Sequence, residues 1–218
     1  MLFDLDGTLV DSNYQHVTAW WEGFRDAGHE VSCYDIHRAI GRPAEDLVQQ
    51  LLGQPDDVVV QRHDVLWHDV RPRVLAFRGA GQLLRACAGR DLRVVWATSG
   101  STDDIEAFRQ LLDADDAVHA ILGSTDIEAG KPDPEVIRKG AAAAGVDPAQ
   151  SVVVGDTMYD VLAAKAAGAL AVGLLAGGIG RTELEAAGAD LVLGNAQELL
   201  ESLDEVLAQL VGRPARSR

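Results

Sequence analysis

Short β-branched runs alternating with stretches of helical periodicity constrain this 218-residue chain more than any other feature. Residues 2–5, 93–98, 120–123, 151–155, 169–174 and 191–193 are strand-sized, and each run ends in a loop carrying Asp, Thr, Ser or Gly. Helical spacing follows over 81–87, 102–112, 134–144, 158–167, 182–187 and 196–210. Strand-then-helix repetition of this kind predicts an α/β fold with a parallel sheet. Residues 13–77 break the pattern. Val17, Trp20, Trp21 and Phe24, then Leu47, Val48, Leu51 and Leu52, recur at helical spacing there, and only residues 58–60 offer a competing β-branched run. This stretch reads as a small helical domain inserted after the first strand, leaving 1–12 and 78–218 as the α/β core. It carries five of the six histidines: His16, His29, His37, His63 and His68.

Charge narrows the partners. With 34 acidic and 19 basic side chains the net charge is −15, which disfavours nucleic acid and anionic membrane as ligands. Arg213, Arg216 and Arg218 form the one basic cluster and read as a solvated tail. Cys33 and Cys87 stand in no metal-binding or disulfide pattern, and no run approaches the ~18 apolar residues of a membrane span. Acidic residues near the start do not suit a signal peptide. The expectation is a cytoplasmic protein, monomeric or homodimeric, acting on a small molecule.

Four segments carry chemistry. The first is Asp4-Leu-Asp6-Gly-Thr-Leu-Val-Asp-Ser12, in which an apolar strand delivers two carboxylates one residue apart into a Gly-Thr turn. Residues i and i+2 of an extended chain share a side, so Asp4 and Asp6 repel unless a cation or proton intervenes. Mg²⁺ suits this arrangement, because it takes oxygen ligands and joins carboxylates to phosphate. A plain β-turn accounts for Asp6-Gly7 but not for Asp4 at a strand end.

The second segment, Val94-Val-Trp-Ala-Thr98-Ser99-Gly-Ser, runs a strand into small hydroxyls that suit an anion or, equally, a helix N-cap. In the third, Lys131 lies between Gly130 and Pro132, and the chain has only two other lysines against 16 arginines. A fixed ammonium there can neutralise a transferring phosphoryl group, although a surface turn would also use it. The fourth, Val152-Val-Val-Gly-Asp156-Thr-Met-Tyr-Asp160, ends a doubly buried strand with two acids at helical spacing. Asp156 and Asp160 can complete a cation site, or serve as an N-cap and a solvated acid.

All four lie at the C-terminal ends of expected parallel strands, the edge at which open α/β sheets bind ligands. Together they resemble the haloacid dehalogenase superfamily, in its phosphatase branch with a helical (C1-type) cap, phosphoglycolate phosphatase among them. The resemblance spans essentially the whole chain. It implies a Rossmann-like, doubly wound parallel sheet with a helical cap domain at 13–77. It further implies that Asp4 is the nucleophile forming an aspartyl-phosphate, and that Asp6 protonates the leaving oxygen and then activates water. Mg²⁺ would be held by Asp4, the backbone carbonyl of Asp6 and Asp156, with Asp160 close by. Thr98, Ser99 and Lys131 would bind the phosphoryl oxygens. An aspartate at position 6 favours phosphate chemistry over carbon–halogen cleavage. Two features depart from the family pattern: the short stretch before Asp4, and Phe77-Arg-Gly-Ala80 where Pro-Gly is more usual.

Substrate choice falls to the cap, with Asn13, His16 and Arg42 as candidate contacts. His16 lies one helical turn beyond Ser12, and a helix-surface histidine is also at home in a structural role. Trp20 and Trp21 read as core or cap-interface residues. The leading expectation is a Mg²⁺-dependent phosphatase for a small phosphorylated metabolite, phosphoglycolate-like or a sugar phosphate. A β-phosphoglucomutase-like phosphomutase is the alternative. A non-catalytic interaction protein is the third reading, and intact Asp4, Asp6, Lys131 and Asp156 speak against it.

Overall fold

The structure is a computed structural model that describes residues 1–211; the arginine-bearing tail lies outside the described residues. Six parallel strands form the main sheet: β1 (Leu2–Phe3), β4 (Val95–Ala97), β5 (Ala120–Leu122), β6 (Val152–Gly155), β7 (Leu170–Leu174) and β8 (Leu191–Leu193). Their order is β5-β4-β1-β6-β7-β8, so the first strand lies centrally, with Leu2 opposite both Val95 and Val153. Strand order therefore reverses at β1, as in doubly wound folds.

The period-2 alternation of each strand feeds two apolar layers. Phe3, Trp96 and Val154 face one layer, which α5 (Ala80–Ala88), α6 (Thr102–Leu112), α10 (Ala196–Glu201) and α11 (Leu203–Val211) help to fill. Leu2, Val95 and Val153 face the other, against α7 (Glu135–Ala143), α8 (Met158–Ala167) and α9 (Arg181–Ala187). Two expectations need correction here. The stretch 196–210 is two helices rather than one, because Ser202 leaves the helical conformation (φ −101°, ψ 11°). The first strand stops at Phe3, and Asp4 adds one further ladder bond, its N–H donating to the Val154 carbonyl at 2.9 Å. Beyond it the chain curls, with the N–H groups of Thr8, Leu9 and Val10 all converging on the Leu5 carbonyl.

Four helices fill the interrupting stretch: α1 (Asn13–Asp26), α2 (Cys33–Ala39), α3 (Ala44–Leu52) and α4 (Asp57–Val70). They share an apolar cluster of their own, including Val17, Trp20, Phe24, Ile36, Leu47, Val48 and Val59. The β-branched residues 58–60 are helical because Asp56 caps α4, accepting from the N–H groups of Val58 and Val59 at 3.0 and 3.4 Å. Sequence reading missed the short antiparallel pair β2 (Val10–Asp11) and β3 (Leu75–Ala76), which joins the outgoing and returning chain beside the sheet. No helix among the described residues is long and apolar enough to cross a membrane.

Helices α1 and α4 touch closely at Gly23. A Cβ there would lie 3.2 Å from the His63 backbone nitrogen and 3.4 Å from the Val59 carbonyl oxygen. Gly23→Leu is therefore expected to force the helices apart and cost about 1–3 kcal/mol, read as a lower denaturant midpoint with an unchanged slope.

Candidate active site

Three adjacent strands deliver the polar groups. Asp4 follows β1, Thr98 follows β4 and Asp156 follows β6, so parallel order alone brings them to one edge. Lys131, from the loop before α7, reaches in beneath them. Its Nζ lies 2.6 Å from Asp4 Oδ1 and 2.7 Å from Asp160 Oδ1. All four charged side chains, Asp4, Lys131, Asp156 and Asp160, are buried. Asp160 also secures its own helix: the Thr157 N–H and Oγ1 both donate to its Oδ2, at 3.1 and 2.6 Å.

Asp156 is held by neutral donors. Thr8 Oγ1 donates to its Oδ1 at 2.9 Å, and Asn13 Nδ2 to its Oδ2 at 2.7 Å. Gly7 makes this approach possible. Its φ of +70° suits glycine, and a Cβ would collide with both Asn13 Nδ2 and the Asp156 carboxylate. Asn13 thus differs from the expected substrate contact: it is buried at the sheet edge, donating to Asp156 and to the Gly177 carbonyl at 3.1 Å.

Asp6 lies higher and partly open. Ser12 Oγ donates to its Oδ1 at 2.5 Å, and His16 Nε2 stands 3.3 Å from the same oxygen. A cavity of about 460 Å³ opens above, between the sheet edge and the helical unit, and both Asp4 and Asp6 line it. His16 and Arg42 line it too, the Arg42 guanidinium standing 4.6 Å above the Tyr159 ring. On the core side Ser99 opens onto the cavity, whereas buried Thr98 braces the loop, its Oγ1 accepting from the Gly100 N–H at 3.0 Å. Sequence reasoning missed Thr8, His63, Asp64, Trp67, Arg71 and Asp104. The last is a cross-link: Trp67 Nε1 on α4 and a nitrogen of Arg71, just past the end of α4, donate to Asp104 Oδ1 on α6 at 2.8 and 2.9 Å.

Charge crowding shifts the acids. Burial pushes the Asp4 carboxyl up to about 7; the Lys131 ammonium opposes that shift, and Asp160 and Asp6 add to it. Burial, then Asp160 and Asp4, raise Asp156 well above the usual carboxylate range. Lys131 is held above its ordinary value, since Asp160 and Asp4 outweigh its desolvation. Oxygen atoms of Asp4, Asp156 and Asp160 all lie within 4.8 Å of one another, an all-carboxylate donor set that fits a hard divalent cation.

Comparison with known proteins identifies the family. Residues 1–174 match the family model described as haloacid dehalogenase-like hydrolase. The chain belongs to that family. A hydrolase from Pseudomonas syringae of known crystal structure superposes with a TM-score of 0.89 at 33% identity, covering 94% of this chain and 96% of that one. The validoxylamine A 7'-phosphate phosphatase of Streptomyces hygroscopicus subsp. limoneus is 32% identical over 178 residues, 79% of this chain and 84% of the relative. The β-phosphoglucomutase of Bacillus subtilis is 29% identical over 227 residues, 94% of this chain and 93% of its own.

The raised carboxyls give this family member a pH signature. A carboxyl whose native pKa lies above its unfolded value contributes stability fully below about pH 4, and loses it as pH rises through the native value. For Asp4 that window closes near 7. The metal-free protein should therefore gain more melting temperature from added Mg²⁺ at about pH 7.5 than at about pH 5, where protons compete for the same oxygens. Equal gains at both values would contradict the cluster as the binding site.

Proposed function

We propose that this chain is a Mg²⁺-dependent phosphatase that hydrolyses a small phosphorylated metabolite, a sugar phosphate or a phosphoglycolate-like ester, through an aspartyl-phosphate on Asp4. The observation that carries this reading is the Lys131–Asp4 contact of 2.6 Å at the floor of a cavity whose wall also presents Asp6. Residues 13–77 then act as the cap that closes over the ester, and 1–12 with 78–218 as the catalytic core.

In this mechanism an Asp4 carboxylate oxygen attacks phosphorus as the ester P–O bond breaks on the opposite side. Asp6 gives its proton to the departing oxygen. Asp6 then takes a proton from water, whose oxygen attacks phosphorus and releases inorganic phosphate and free Asp4. Lys131 keeps Asp4 oriented and, with Ser99 and the loop braced by Thr98, holds the phosphoryl oxygens. Bound Mg²⁺ would neutralise charge on those oxygens, and Asp4, Asp156 and the Asp6 backbone carbonyl are the groups we assign to hold it. Asp160 has its oxygens committed to Lys131 and Thr157, which favours a role in fixing that lysine.

A cavity of about 460 Å³ accommodates a phosphorylated sugar more naturally than a two-carbon acid. Similarity to a sugar-phosphate mutase and to the Streptomyces phosphatase points the same way. The mutase is the second reading, since its likeness runs along nearly the whole chain. A mutase must also hold a second phosphate in the cap. The cations on that wall include Arg42, stacked on Tyr159, and Arg71, paired with Asp104, so the phosphatase is preferred.

With Mg²⁺ the protein is expected to release phosphate from p-nitrophenyl phosphate, and EDTA should stop it. Asp4→Asn should lower kcat more than about a thousandfold. Activity surviving in that variant would remove Asp4 as nucleophile. In a panel of hexose phosphates and phosphoglycolate, phosphate release supports hydrolysis, whereas an isomerised sugar phosphate with little release supports the mutase.

A further inference from the structure

His-x-x-x-Trp occurs twice in the helical unit, as His16–Trp20 on α1 and His63–Trp67 on α4. Where the helices cross at Gly23 the two pairs exchange partners. The His16 ring stacks on Trp67 with centroids 3.6 Å apart, and His63 stacks on Trp20 at 3.7 Å. The histidines meet edge to edge, His16 Nδ1 standing 3.2 Å from His63 Nε2. Inward, His16 Nε2 faces Asp6 Oδ1 at 3.3 Å; outward, His63 Nδ1 faces Asp64 Oδ1 at 3.1 Å. Four side chains thus form one line from the partly buried Asp6 to Asp64, whose side chain is 66% exposed.

Hydrogen counting gives the line a direction. Each of its three contacts needs one hydrogen. Asp64, a solvated carboxylate, only accepts, so the hydrogen of the outer contact belongs to His63 Nδ1. Burial disfavours the charged form of His63, against Asp64 and Asp104, which favour it. A neutral His63 has a bare Nε2, which accepts from His16 Nδ1–H. His16 Nε2 is thereby turned toward Asp6 Oδ1, at 3.3 Å. Trp20 and Trp67 hold the ring planes, and the bond from Trp67 Nε1 to Asp104 fixes one of them to the core.

The geometry points to His63 as a positioning residue: anchored on Asp64, it sets the orientation of His16, which in turn holds Asp6 toward the leaving oxygen. This rests on Asp6 being the acid–base carboxylate proposed above. His63 touches no reacting atom.

Leaving-group dependence tests it, because p-nitrophenolate departs without a proton more readily than phenolate does. His63→Phe keeps a flat ring against Trp20 and removes both nitrogens. Its kcat/KM should fall about tenfold further on phenyl phosphate than on p-nitrophenyl phosphate, with Asp6→Asn showing the same trend more strongly. Asp64→Ala, at an exposed position, should move in the same direction by about threefold, and it carries the test if His63→Phe does not fold. Equal losses on the two esters in the His63 and Asp64 variants, with Asp6→Asn still discriminating, would overturn the role of His63 and leave the phosphatase reading standing. If Asp6→Asn loses equally on both, the acid role of Asp6 falls, and this inference falls with it. No turnover of either ester by the parent protein with Mg²⁺ would overturn both.

Discussion

A buried ammonium held between two buried carboxylates, with a third carboxylate beside them, is the constraint around which this molecule is organised. Withdrawing such charges from water is costly unless each finds partners. Lys131 compensates Asp4 and Asp160, while Asp156 has hydroxyl and amide donors only. Three acids against one base leave a deficit of positive charge in a dry place. Burial and mutual repulsion lift Asp4 and Asp156 accordingly, so that proton uptake relieves the deficit more readily than at an ordinary carboxylate. A cation fills it without that proton uptake. The same deficit explains the neighbouring backbone: Gly7 must lack a side chain so that Asn13 and Asp156 can meet above it.

Sheet order converts this local chemistry into a global requirement. Because β1 lies between β4 and β6, the loops after all three open at one edge, and residues far apart in sequence become neighbours without long excursions. The chain leaves that edge through Val10–Asp11 and returns through Leu75–Ala76, two segments that pair with each other. The interrupting helices are therefore tethered beside Asp6, and the first turns of α1 bring Ser12 and His16 to it.

Much of this was legible because it rests on local periodicity. Runs such as 152–155, apolar on every residue, require burial on both faces, and α6 and α8 begin and end where side-chain caps and apolar spacing place them. The acidic motifs were legible for a related reason, since a carboxylate at the end of a buried strand needs compensation wherever the rest of the chain goes. What escaped was long-range or orientational. Nothing in Val10–Asp11 or Leu75–Ala76 announces their pairing, and residue type at Asn13 does not say whether it faces core or cavity. The break at Ser202 carries no glycine or proline to mark it. The repeated His-x-x-x-Trp went unread because its meaning depends on α1 meeting α4, with a close approach at Gly23.

The two aspartates of the first motif end in different environments although one residue separates them. Asp4 belongs wholly to the core, its partner Lys131 arising from the same α/β body. Asp6 belongs to a boundary: Ser12 and His16 come from the outgoing chain and α1, and His16 is in turn seated by α4. A displacement of the helices relative to the sheet would change the partners of Asp6 and leave the Asp4–Lys131 pair intact. On the mechanism proposed above, Asp4 would then keep its alignment under such a displacement, and Asp6 would have its full surroundings only with the helical unit seated against the core. On that reading such a division would tie proton transfer to closure over a bound ester, and its structural basis is strand order and one helix crossing rather than any feature of the phosphate site itself.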